Sequence, residues 1–202
     1  MSEHPNDGPA RPRTSPRRRP GRERLLATAD ELLYRDGLSA AGIDRIIKEA
    51  GVVKATLYAN FKSKEELIDA YLEARHQQAF AAIETIAAAG GSITEQVDLI
   101  FDHLAALTAE EAFRGCVFVV AAAEMPDEGR PAMRWARAHK RATVDCFQRM
   151  FANSGLRDAS SFAEQITILY DGALITSVMR PESNAIAHAR AAAHALIEAG
   201  RR

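Results

Sequence analysis

The sequence predicts an all-α fold in which three short N-terminal helices lead through one long helix into a larger helical body. Three observations carry this. Hydrophobic residues make up 47% of the 202 residues, with Ala prominent among them, and Ala is the strongest helix former. Apolar residues recur at steps of three and four, the helical period, and not in alternation. Gly and Pro gather at a few points that punctuate these runs, so each run has a place to end.

The first helix begins near Gly21, where Leu25, Leu26, Ala29, Leu32 and Leu33 make one apolar face, and it stops at Asp36-Gly37, where Gly can adopt a left-handed cap. A second, shorter helix follows from Ile43, Ile46, Ile47 and Ala50 and ends at Gly51. A third carries Val53, Leu57 and Phe61 at steps of four, which puts all three on its buried face. Ser63 then stands at an N-cap position with Glu66 three residues on, the signature of a capping box, and opens a long helix through Leu67, Tyr71 and Phe80 to Ala89. Gly90-Gly91 breaks it. Further helices are expected over 94–108, 114–125, 131–152, 160–179 and 184–199, separated by Pro126, Pro131, Gly155 and Pro181. The stretches 162–179 and 186–197 are apolar over more than one face, so a subunit interface is expected around Ile166, Leu169, Leu174 and Ile197.

The net charge of −1 conceals a division along the chain. Residues 1–64 hold 13 Lys and Arg against 8 Asp and Glu, while residues 65–202 hold 13 against 19. A basic front and an acidic rear are the electrostatic outline of a protein that meets a polyanion at one end. Residues 1–20, rich in Pro, Arg and Ser, have almost nothing to bury and are expected to be a disordered basic arm. They lack the apolar stretch of a secretory signal, and no segment approaches the roughly 18 apolar residues of a membrane span, so a cytoplasmic protein without membrane contact is expected. Cys116 and Cys146, thirty residues apart, match neither a CxxC pair nor a disulfide framework.

Between Ile43 and Phe61, two short helices flank Ala50-Gly51-Val52, a Gly-containing turn with apolar residues on either side. This is the pattern of a helix-turn-helix, whose second helix enters the major groove of DNA. With Leu57 at the centre of the buried face, Ala55 and Ala59 point the opposite way, flanked by Thr56 and Tyr58, with Lys54 in the first turn. Small residues let a backbone approach base pairs, and Thr, Tyr and Lys can contact bases or phosphates. The run from Gly51 through Val52-Val53-Lys54-Ala55-Thr56-Leu57-Tyr58-Ala59-Asn60-Phe61-Lys62-Ser63 to Lys64 resembles the TetR family pattern AGVSKGTLYxHFxSK almost position by position. The resemblance covers the first third of the chain closely and the remainder loosely.

What the resemblance implies is a DNA-binding domain over 21–66 and a ligand-binding and dimerisation domain over 67–202. The protein would then be a homodimeric repressor on a palindromic double-stranded operator, released by a small-molecule inducer. It further implies that Lys54, Ala55, Thr56 and Tyr58 face the major groove and that Tyr58, Asn60 and Lys64 hold phosphates; Arg45 joins them as a DNA-binding candidate. The basic arm is then either a passive tail or a segment that reaches a groove. The chain departs from the pattern at Ala41, where a capping Thr is usual, so Ser39 or Gly42 must serve. Val53 replaces a common Ser and Asn60 a common His.

Candidate ligand-pocket residues are His103, Cys116, Phe118, Trp135, His139 and Tyr170, each of which could equally be an ordinary core or surface residue. Cys116 is expected to be chiefly a small core residue, the alternative being a thiol redox or electrophile sensor on the same fold. A metal site is not expected, since His188 and His194 lie about 240° apart round a helix. No cofactor is expected. An enzyme using Cys116 with His103 or His139 is disfavoured, because the sequence carries no GxSxG, Walker, GxGxxG or HExxH motif.

Overall fold

The computed structural model describes residues 20–201; residues 1–19 of the expected arm lie outside them, and Pro20, its last residue, opens the first helix. Nine helices make up the described residues: α1 (Pro20–Asp36), α2 (Ile43–Glu49), α3 (Lys54–Asn60), α4 (Lys64–Ala89), α5 (Ile93–Thr108), α6 (Val117–Glu124), α7 (Pro131–Phe151), α8 (Ala159–Met179) and α9 (Ala185–Arg201).

Their ends follow local chemistry. Gly37 takes φ 95° after α1, and Gly51 takes φ 61° in the turn between α2 and α3, both in the left-handed region that other residues avoid. The Ser63 hydroxyl accepts from the Glu66 amide, as expected, but the Glu66 carboxylate turns back to the Lys62 amide at 2.7 Å and not to that of Ser63. A full reciprocal box occurs instead at Ser92 and Glu95, so α5 starts one residue before the sequence places it. Helix α2 is capped at Gly42 without any side-chain bond, and Ala41 is fully buried.

Two hydrophobic clusters organise the chain. The first joins α1, α2, α3 and the start of α4 through Leu25, Leu32, Ile46, Leu57, Phe61 and Leu67, and Phe118 and Ala121 of α6 with Ala132 of α7 complete it. Leu57 is fully buried, so truncating it to Ala would cost roughly 2–5 kcal/mol and loosen α3 from its support. The second fills the space between α5, α7, α8 and α9 with Phe101, Leu104, Phe147, Phe151, Phe162 and Ile166.

Two expectations need correction. Val53 is 69% exposed, because it is the extended N-cap residue of α3 and not part of its buried face. Ile166, Leu174 and Ile197 lie in the second cluster and Leu169 packs against it, so they are interior within one chain. The apolar surface left on α8 is the stripe Ile168, Gly172, Ile175 and Met179, at steps of four, three and four on its outer face.

Candidate nucleic-acid interface and the cavity behind it

Helix α3 is held from beneath by Leu57, and its outer side presents Lys54, Ala55, Tyr58 and Ala59 to solvent. The Lys54 ammonium lies 3.3 Å from Asp44 in a pair so exposed that it restrains little. Thr56 is half-buried, and its methyl sits where a side chain at Gly21 would collide, so α1 approaches α3 closely there. The Asn60 amide donates to the Thr56 carbonyl at 2.7 Å. Arg45 is engaged by Asp36 and by Glu49, both at 2.7 Å. Lys64 donates to the Ser39 carbonyl at 3.2 Å, and partial burial lowers its pKa. Of the seven sequence candidates, Lys54, Ala55 and Tyr58 are therefore open, while Arg45, Asn60 and Lys64 have partners within the chain.

The head is fastened to the rear by α6. At its C-terminal end the Glu124 carboxylate accepts from the Ser39 amide at 3.0 Å. It also fills the space beside Gly37, where a Cβ would lie 2.8 Å from Glu124 Oε1. Eight residues earlier, at the other end, Cys116 is the N-cap of the same helix, about 12 Å away. Tyr34 of α1 ties down the loop before it, donating to the Gly115 carbonyl and accepting from the Arg114 amide.

Cys116, Val117 and Phe118 form one wall of a partly open cavity of about 360 Å³ lined by α4, α5, α6, α7 and α8, with Tyr34 of α1 at its edge. His103, Cys116, Phe118, His139 and Tyr170 all line it, as the sequence reading proposed. Trp135 does not: its indole donates to Asp69 at 2.6 Å and its ring faces His76, so it belongs to the α4–α7 contact. Cys116 is half-buried and packs against both clusters, whereas Cys146 is buried.

His139 is the most enclosed titratable wall residue, at 8% exposure, and stacks on Phe118 with ring centroids 4.0 Å apart. Its Nδ1 lies 3.1 Å from Nδ1 of His76, so one imidazole donates to the other. Burial, reinforced by Lys140 and His76, pushes its pKa down to about 3, and burial lowers that of His76 as well. Both rings are neutral at physiological pH. Sequence reasoning missed this pair, whose members are 63 residues apart, and it missed Arg75 and Lys140, cations at the wall that are matched by Asp30 and Asp171 respectively. Among the described residues, no cluster of three metal-ligating side chains occurs and no helix is long and apolar enough to cross a membrane.

A short, supported helix with an open outer face, set on a head that a strut connects to a partly open cavity, defines a helix-turn-helix regulator. The family described as bacterial regulatory proteins, tetR family, matches residues 25–71. The TetR transcriptional regulator sav143 from Streptomyces avermitilis is 30% identical, with 86% of this chain and 98% of that one aligned at a TM-score of 0.70. The TetR-family regulator SCO4454 from Streptomyces coelicolor is 28% identical over 91% of this chain and 97% of that one, at a TM-score of 0.84. The transcriptional repressor NemR from Escherichia coli is 25% identical over 84% of this chain and 92% of its own length. The chain belongs to the TetR family of DNA-binding transcriptional regulators.

Proposed function

We propose that this chain is a ligand-controlled repressor that holds a palindromic double-stranded operator as a homodimer, with residues 21–66 as the DNA-binding domain and 67–202 as the ligand-binding and dimerisation domain. The observation that carries this reading is the pairing of an open α3 face with a cavity joined to it by α6. Lys54, Ala55, Thr56 and Tyr58 would address the major groove, and Tyr58, Asn60, Lys64 and Arg45 the phosphates. The last three would exchange their present intrachain partners for phosphate oxygens, which accept well from the Lys64 and Arg45 cations and from the neutral Asn60 amide. A ligand that prefers a conformation in which the two heads are wrongly spaced for successive major grooves would release the DNA. The exposed α8 stripe supplies a surface for the partner subunit.

The test is fluorescence anisotropy with duplex from the DNA flanking the gene, at two salt concentrations and with a polyanion competitor. A specific complex should survive competitor that removes non-specific binding. Equal loss on specific and random duplex would refute the reading.

A second reading, with Cys116 as a thiol sensor, is favoured by one observation: the residue is half-buried and lines the cavity, and is not sealed in the core. Thiol titration alongside operator release decides between the two, with Cys146→Ser controlling for the second thiol. Fast modification of Cys116 coupled to loss of DNA selects the sensor; slow labelling without release selects a non-covalent inducer.

A further inference from the structure

The wall of the cavity is specific about charge. Its two permanent cations are both matched, Arg75 by Asp30 at 2.5 Å and Lys140 by Asp171, and the one carboxylate among the lining residues, Glu110, is exposed to solvent. His139, the most enclosed titratable group, is neutral for the reasons given above. An ionised ligand would thus leave water without meeting an unpaired opposite charge in the interior, at a cost that hydrogen bonds alone do not offset. Most of the remaining wall is apolar, including Ile83, Ile86, Ile100, Phe147 and Leu174.

Apart from the Cys116 thiol and the exposed Gln78 and Glu110, three polar groups of the wall have capacity to spare: Tyr170, His139 and His103. The Tyr170 hydroxyl has no hydrogen-bond partner among the described residues, and burial holds its pKa well above the usual phenol range, so it remains a donor. His139 uses Nδ1 toward His76, leaving Nε2 without a partner among the described residues while its ring stacks flat on Phe118. A volume of about 360 Å³ lies at the small end of ordinary ligand sites.

We propose that the cavity takes an uncharged, mostly apolar organic molecule bearing an oxygen acceptor, with that oxygen on the Tyr170 hydroxyl and its carbon skeleton among the apolar walls beside His139 and Phe118. The proposal rests on the reading of this cavity as the regulatory ligand site and names the chemistry that the site selects. Tyr170 acts as a specificity-determining donor, and the satisfied charges of Lys140 and Arg75 exclude ions.

Four probes of one skeleton test it by titration calorimetry and thermal shift on the full chain: 2-acetylnaphthalene, 2-naphthoate, the ammonium form of 2-(aminomethyl)naphthalene, and 2-ethylnaphthalene, which lacks the oxygen. The ketone should bind at least about tenfold more tightly than either ion. Tyr170→Phe should weaken the ketone about three- to tenfold, the worth of one neutral hydrogen bond, and leave 2-ethylnaphthalene unchanged. Unchanged binding of the oxygen-free probe also shows that the variant is folded. Tighter binding of either ion, equal effects of Tyr170→Phe on ketone and hydrocarbon, or no binding of the ketone each overturns the proposal. Operator release separates this from the underlying reading. A ketone that binds as described but leaves the DNA complex intact refutes ligand control and not the selectivity; an ion that binds better and releases DNA does the reverse.

Discussion

Lowering the pH from 7 to 5 should destabilise this protein by about 2 kcal/mol through His139 alone, the folded pKa being about 3 against 6.5 for an unperturbed ring. Between those two values the unfolded state binds a proton that the folded state refuses. The stabilisation is therefore complete above pH 6.5 and is lost progressively as the pH falls toward 3. The slope approaches about 1.4 kcal/mol per pH unit. Over the interval from 7 to 5 the loss depends on the unfolded value and hardly on how far below 5 the folded one lies. At 8% exposure the ring is little screened by solvent. His76, whose pKa is also lowered by burial, adds a smaller loss of the same sign. The depressed carboxyls Asp36, Glu95 and Glu128 act at lower pH. The assay is urea unfolding followed by circular dichroism at pH 7, 6 and 5, at one fixed protein concentration, for the parent and for His139→Gln, which keeps a hydrogen-bonding group toward His76. The parent should lose about 2 kcal/mol more than the variant over that range. Parallel curves, agreeing within about 0.5 kcal/mol, would show that His139 is not held neutral by its surroundings.

Further outcomes follow from other parts of the molecule. Lys64→Ala should weaken binding to every duplex and lower the salt slope by about two per dimer, whereas Lys54→Ala or Tyr58→Ala should cost about 1–3 kcal/mol per half-site and relax sequence preference; measurements across operator variants and salt separate them. Ile175→Glu, on the exposed α8 stripe, should give a folded monomer by sedimentation with weakened operator binding. Leu174→Glu, one position earlier but interior, should instead lose helical signal, since it buries an unpaired charge. Glu124→Gln should keep the fold while weakening a charge-assisted bond, so the Ser39 amide should exchange with deuterium a fewfold faster, and an unchanged rate would remove the contact from the coupling.

The head was legible because its determinants are local. Leu57, the Gly51 turn and the Ser63 N-cap are spelled out within a few residues, and each occurs as read except that Glu66 closes on the Lys62 amide and not on that of Ser63. Errors arose where a spacing rule was extended past a helix end or onto a helix apolar on several sides. Val53 keeps the step of four but has extended backbone, so periodicity does not govern where it points. In α8 the pattern could not distinguish the inner face, with Ile166 and Leu174, from the outer one, with Ile168 and Ile175. The Ser92-x-x-Glu95 box is as local a signal as the one at Ser63 and sets the start of α5. The cavity chemistry was accessible only in part: an aromatic or His can be named as a candidate, but pairings such as Trp135 with Asp69, His76 with His139 and Ser39 with Glu124 span 63 to 85 residues and arise from packing.

The shortness of α6 bears on how the protein would answer a changing signal. A two-turn helix has no length over which to bend, so a shift of its Cys116 end would reach Glu124 nearly undiminished. The bond waiting there is already 3.0 Å long, and a hydrogen bond weakens steeply once stretched by about half an ångström. The Ser39–Glu124 contact would therefore be either made or broken, with little between, while Phe118 and Ala121 keep α6 packed on the head. Such a contact would turn a small movement into a make-or-break event at each subunit, and any gradation in the response would have to come from how many subunits have been released.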